Sequence, residues 1–179
     1  FEGVSHGTDT GVGIKAYQVW NKRRFADKWQ QVLSQHRSNG VEPMLERDRP
    51  ARARILWIEA CMLTPDQDSG SLRTIRLLRI LVRMGCKVTY VADNLDGEEQ
   101  YRSQLSREGV EVIHAPFFSS VRDYLRQHGA EFDIVTLCRH YIAIQHIQTV
   151  RDVNPAAKIW FDTIDLHYLR LRRQFELDG

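Results

Sequence analysis

From residue 51 onward, short continuous apolar runs alternate with segments of helical periodicity, and this alternation restricts the fold more than anything else in the chain. Arg54-Ile55-Leu56-Trp57-Ile58, Lys87-Val88-Thr89-Tyr90-Val91, Val110-Glu111-Val112-Ile113, Asp133-Ile134-Val135-Thr136-Leu137-Cys138 and Lys158-Ile159-Trp160-Phe161 are each short and largely apolar. Strands buried on both faces have this pattern. Between them, 71–84, 98–108, 120–128, 141–153 and 166–177 read as helices. The first three end on Gly85, Gly109 and Gly129, in the position of a C-terminal cap, and the fourth is bounded by Pro155. Alternation at this spacing predicts right-handed crossovers and a parallel sheet covered by helices on both faces. The predicted fold is α/β, a Rossmann-like three-layer sandwich of about five strands in the order 3-2-1-4-5.

Residues 1–50 differ in composition. Residues 1–13 are rich in Gly, Ser, Thr and Asp, 15–35 read as an amphipathic helix, and 36–50 carry Gly40, Pro43 and Pro50 among polar residues. The expected division is an N-terminal helical and loop appendage over 1–50, too poor in apolar surface to form its own core, and a domain over 51–179. The chain opens on Phe1 and closes abruptly on Gly179, so it is read as part of a longer polypeptide.

Charge and composition narrow the function classes. Of 179 residues, 25 are Lys or Arg and 23 Asp or Glu, giving a formal net charge of +2 that predicts no nucleic-acid partner. No apolar run approaches the roughly 18 residues that span a bilayer. Three cysteines, Cys61, Cys86 and Cys138, lie scattered through apolar segments, which predicts buried, reduced thiols and a cytoplasmic setting.

In open parallel sheets, ligands sit beyond the carboxyl ends of the strands. That singles out residues 60–70, after the first strand, and 162–167, after the fifth. In the first, Asp68-Ser69-Gly70-Ser71 brings a glycine and small hydroxyls to a strand-to-helix turn, where backbone amides can hold a phosphate or a sugar hydroxyl. The same residues equally read as an ordinary helix cap, with Ser69 or Ser71 as the capping residue. The segment lacks both G-x-G-x-x-G and the P-loop pattern, which excludes their pyrophosphate and nucleotide turns. Arg73, Arg76, Arg79 and Arg83 form a stripe that fits a solvated helix face. In the second segment, Asp162, Asp165 and His167 cluster two carboxylates and an imidazole, suited to general-base chemistry or to sugar hydroxyls. Asp165 also fits an N-cap of the last helix. No ligand set for a metal stands out, His140 and His146 do not share the spacing of one helix face, and no G-x-S-x-G elbow is present.

These residues carry a resemblance. The run from Ile55 through Pro65, Ser69-Gly70-Ser71, Arg73-Thr74 and Leu77-Leu78 to Leu81-Val82-Arg83-Met84-Gly85-Cys86-Lys87-Val88-Thr89 resembles the amino-terminal half of family 4 (group 1) glycosyltransferases of the GT-B type. Phe132-Asp133-Ile134-Val135 and the segment from Ile159 to Arg170 extend it, and the latter is similar to a subgroup active in bacterial surface-polysaccharide (O-antigen) synthesis. Phe1 to Asp9, with Trp20-Asn21, Phe25 and Trp29, resembles the tail of a family 2 glycosyltransferase, with His6 where that pattern has arginine.

The resemblance implies one half of a GT-B fold, the acceptor-side domain of a two-domain enzyme. Such an enzyme moves sugar from a nucleotide-sugar donor to a saccharide acceptor, without metal or other cofactor. The donor-binding domain would lie further along the full-length chain, leaving this part inactive alone. It implies Asp165 and His167 as catalytic candidates, and Asp68, Ser69, Gly70, Ser71, Arg73 and Asp162 as substrate-binding ones. The competing reading is a non-catalytic flavodoxin- or receiver-like binding or scaffolding domain. For that reading Glu59 is a lone acid after the first strand, and Cys138-Arg139 stand where a phosphoacceptor aspartate is needed.

Overall fold

The structure is a computed structural model and describes residues 9–164 and 167–178. The chain divides into two compact units between Arg47 and Asp48, slightly before the expected boundary. In the first unit a 3-10 turn, Gly13–Lys15, leads into helix α1, Ala16–Leu33, which buries no residue. Its aromatic residues stay in water, Trp20 54% and Phe25 56% exposed. The segment that follows is closed by a contact of His36 Nδ1 with Glu46 at 2.9 Å and an ion pair of Arg37 Nε with Glu42 at 3.1 Å, around the short helix α2, Pro43–Arg47.

The second unit is a five-stranded, all-parallel sheet with helices on both faces. Strands β1 (Arg54–Glu59), β2 (Lys87–Ala92), β3 (Val110–Ile113), β4 (Ile134–Cys138) and β5 (Lys158–Asp162) lie in the order β3-β2-β1-β4-β5. Helices α3 (Ser69–Arg83), α4 (Glu99–Arg107), α5 (Val121–His128) and α6 (His140–Val153) connect them, and α7 (His167–Asp178) follows β5. The winding direction reverses between β1 and β4. A flavodoxin- or receiver-type sheet runs 2-1-3-4-5, so the competing reading loses its topology.

Side-chain alternation divides the core into two layers. Leu56, Ile58, Val91, Val135 and Leu137 face α5 and α6, packing with Leu125, Ile142 and Val150. Trp57, Val88, Tyr90 and Cys138 face the other way, packing with Ile75, Leu78, Tyr101 and Leu105 of α3 and α4. The apolar stripe of α3 is thus used as its periodicity predicts. Its arginine stripe is partly neutralised: Arg79 makes a two-pronged contact to Glu108, both distances 2.5 Å, and Arg73 pairs with Asp162.

Two local expectations change. Gly85 has the left-handed φ of +83° expected of a helix-ending glycine, whereas Gly129 has a helical φ of −58° and runs on into a 3-10 turn. Gly129 is small for packing reasons, because a Cβ there would stand 2.7 Å from Cγ2 of Val153. Among the thiols, Cys138 is buried as expected, but Cys86 is half-buried and Cys61 exposed, because Cys61 falls in the loop beyond β1. His146, which does not share one helix face with His140, is buried, 1% exposed, with Nε2 2.6 Å from Oδ1 of Asp93.

Candidate functional site

The carboxyl rim of the sheet collects charge because three adjacent strands finish on polar residues. β1 ends at Glu59, β4 at Cys138 and β5 at Asp162, and the register pairs Cys138 with Asp162 and Ile58 with Leu137. Glu59 therefore points to the same sheet face as Trp57 and Cys138, and it is buried, 3% exposed. A buried carboxylate needs a partner. Glu59 Oε1 accepts from Nε of Arg139 at 3.0 Å and from the Ala60 amide at 3.0 Å. Arg139 follows β4 directly and precedes α6, with φ +73° and ψ +146°, a region essentially reserved for glycine. The ion pair spans the point where the sheet reverses its winding. Cys138 sits beside it, and burial first, then the charges of Glu59 and Asp162, push its thiol far above the ordinary range.

The loop after β1 is organised by Asp68. Its backbone is extended, φ −143° and ψ +147°, and its carboxylate accepts from the Ser71 amide at 2.8 Å, the Ser71 hydroxyl at 2.5 Å and the Thr64 hydroxyl at 3.1 Å. Asp68, not Ser69 or Ser71, is the N-cap of α3. Ser69 and Gly70 already lie in the first helical turn, so Gly70 does not make the turn expected of it. The carboxylate takes the Ser71 amide and puts negative charge at the dipole end of the helix. Sugar hydroxyls, which donate to carboxylates, remain suited to the place.

Burial pulls the Asp68 carboxyl upward, but its hydrogen bonds from Ser71 and Thr64 outweigh this and leave it below its ordinary value. A depressed value means that the cap stabilises at pH above the unfolded carboxyl's value and fades as pH falls through about 4 and below. Asp68→Ala is expected to lose about 1 kcal/mol at pH 7, and the gap from wild type should narrow at pH 3. Denaturant midpoints at both pH values check this; equal stability at pH 7 would contradict the cap.

Asp162 joins the two loops that the sequence singled out. Its Oδ2 accepts from Nη1 of Arg73 at 2.7 Å, its Oδ1 from the Ile164 amide at 3.1 Å, and its backbone oxygen from the Arg139 amide at 2.8 Å. A Cβ on Gly70 would meet Oδ1 of Asp68 at 3.1 Å and Cγ2 of Ile164 at 3.9 Å. Residues 92 positions apart in the chain, Gly70 and Asp162, thus belong to one rim. Arg73 is half exposed, 51%. Asp165 lies outside the described residues, and so does its expected role as a cap. His167 is the first residue of α7, and its side chain is not among those described.

The structure thus brings Asp68, Ser69, Gly70, Ser71, Arg73 and Asp162 to one side of the rim. It adds Glu59 and Arg139, which the sequence reading considered only for the receiver alternative. The signal for both was a charged residue closing an apolar strand on either side of the reversal point. Among the described residues no group of three or more His, Cys, Asp or Glu is placed to hold a metal. A cavity of about 450 Å³ reaches this rim, ending at Arg73 and Asp162. Another, of about 540 Å³, lies at the amino ends of the strands around Arg52, Asp133 and Lys158, away from where such sheets bind ligands. No described helix is long and apolar enough to cross a membrane. In comparison with known proteins, the chain matches no family model, no curated protein and no solved structure.

Proposed function

We propose that residues 48–179 form the acceptor-side half of a GT-B-type glycosyltransferase acting in bacterial surface-polysaccharide synthesis. The observation that carries this reading is the meeting of the β1 and β5 loops through Arg73 and Asp162. A saccharide presents many hydroxyls, and a rim with carboxylate acceptors at Asp68 and Asp162 and an arginine donor at Arg73 matches them in kind. Ser69 and Ser71 add hydroxyls to the same turn. Asp165 and His167 follow Asp162 closely enough in sequence for one of them to take the proton from the attacking acceptor hydroxyl as general base. The departing nucleoside diphosphate is stabilised by basic groups and amides, which in this reading come mostly from a donor-binding domain elsewhere in the full-length chain. The donor is a nucleotide sugar used as substrate, with no cofactor.

The test is sugar transfer by the full-length polypeptide. Gly70→Val places branched carbon between Asp68 and Ile164 and should reduce the rate at least tenfold; His167→Ala should do the same. Unchanged turnover in both would remove this rim from the chemistry.

A further inference from the structure

The sheet face that carries Trp57 is covered unevenly. α3 and α4 lie over β1, β2 and β3, and on β4 Thr136 and Cys138 stay buried, but at β5 the face is open, with Trp160 52% exposed. The 450 Å³ cavity is this opening, a groove between α3 and β4–β5 lined by Trp57, Leu77, Leu81, Met84, Ile134 and Trp160. Along it Ile80 and Met84 of α3 are 50% and 53% exposed. One end is the Arg73–Asp162 pair on the rim, and the other is Met84 and Cys86 near the amino ends of the strands.

The chain leaving β5 turns toward this face. Ile164, at φ +53°, donates its amide to Asp162 and packs its side chain on the cluster containing Trp57 and Leu78. A β-branched residue adopts this φ only when its surroundings hold it there. α7 begins three residues later. Its residues 172–177 are exposed, with Phe175 at 79% and Leu177 at 86%. In sequence, Tyr168, Leu171 and Phe175 recur at i, i+3 and i+7, the spacing of one helix face.

We propose that α7 is a strap that folds back antiparallel to β5 and seats the Phe175 face in this groove. Three features select it over other occupants. It is tethered at the groove's rim end, so its effective concentration there exceeds that of any free partner. At 12 residues it is about 18 Å long, and the stretch of α3 from Arg73 to Met84 that borders the groove is about 16 Å. It also carries an exposed apolar residue, Phe175, and the groove is an exposed apolar surface, and water disfavours both. In the structure the groove stands open, and closure would carry the start of α7 along the rim beside Asp162. The proposal concerns packing and does not rest on the sugar-transfer reading.

Disulfide trapping tests it. In the full chain with Cys61→Ser and Cys86→Ser, Ile80→Cys and Phe175→Cys place thiols at two positions exposed in the open structure, so neither change disturbs a buried contact. Under mild oxidation of dilute protein, an intramolecular disulfide should form at least tenfold faster than in the matched chain carrying Ile80→Cys and Arg173→Cys. Arg173 lies about 160° round the helix from Phe175. Equal rates, no bond, or disulfides only between two molecules would each overturn the strap; the last would assign the groove to a second copy.

Discussion

Arg139→Ala is expected to destabilise the protein by about 3 kcal/mol, at the lower end of the range for breaking a buried pair. The substitution strands Glu59, whose side chain is 4% exposed, without its cation. The lower end applies because the Arg139 side chain is 31% exposed and the pair is partly screened by water. Glu59→Gln should cost less, because it removes the buried charge along with the ion pair and leaves Arg139 able to reach solvent. Backbone strain adds a second sign. Arg139→Gly deletes the same guanidinium but relieves the φ of +73°, which for a non-glycine residue stores about 1–3 kcal/mol. The glycine variant should therefore be no less stable than the alanine variant, contrary to the usual penalty for glycine in the unfolded chain. Thermal unfolding of the three variants measures this. At about 2–4 °C per kcal/mol, Arg139→Ala should melt some 6–12 °C below wild type, and a loss under about 1 °C would mean the pair does not hold the rim.

Leu78→Ala should cost about as much, for a different reason. Leu78 is 0% exposed in the middle of α3 and packs with Ile75, Val88 and Tyr90. Truncation loses the transfer free energy of the side chain and leaves a void, together about 2–5 kcal/mol. Two residues earlier on the same helix, Arg76 faces solvent, and Arg76→Ala should change stability by no more than about 0.5 kcal/mol. The contrast bears on function because the buried face of α3 fixes the height of its first turn, which carries Asp68, Gly70 and Arg73 at the rim. Denaturant titration reads both changes. A Leu78→Ala loss no larger than that of Arg76→Ala would mean that α3 is not seated on the sheet as described.

The framework of this unit is legible in the sequence because β1, β2 and β4 are buried on both faces, which makes continuous apolar runs, while the edge strand β5 shares the apolar run but leaves Trp160 and Phe161 about half exposed. Helix ends were harder to read for local reasons. Asp68 displaces two serines as the cap because a carboxylate reaching the Ser71 amide and hydroxyl together makes two bonds where a serine makes one. Gly129 looks like a helix terminator in sequence, and its actual constraint is Val153, 24 positions away, which no local pattern contains. At the rim, the loops after β1 and β5 were identifiable from topology alone. The bond between Arg73 and Asp162 was not, since the arginine belongs to a stripe whose other members face water or Glu108. Glu59 and Arg139 gain their meaning from each other across 80 residues. The opening at β5 was equally hidden, because Trp160 reads as an inward strand residue until the helices are seen to stop short of that edge.

The proposed role of this rim as half of a carbohydrate-handling crevice is open to a binding experiment. The most direct test is calorimetric titration of the full-length polypeptide, wild type and Gly70→Val, with nucleotide sugars plus saccharide acceptors and, in parallel, with nicotinamide nucleotides. The sugar ligands alone should bind, and Gly70→Val should weaken that binding at least tenfold. Binding of nicotinamide nucleotides instead, or sugar binding that Gly70→Val leaves unchanged, would contradict it.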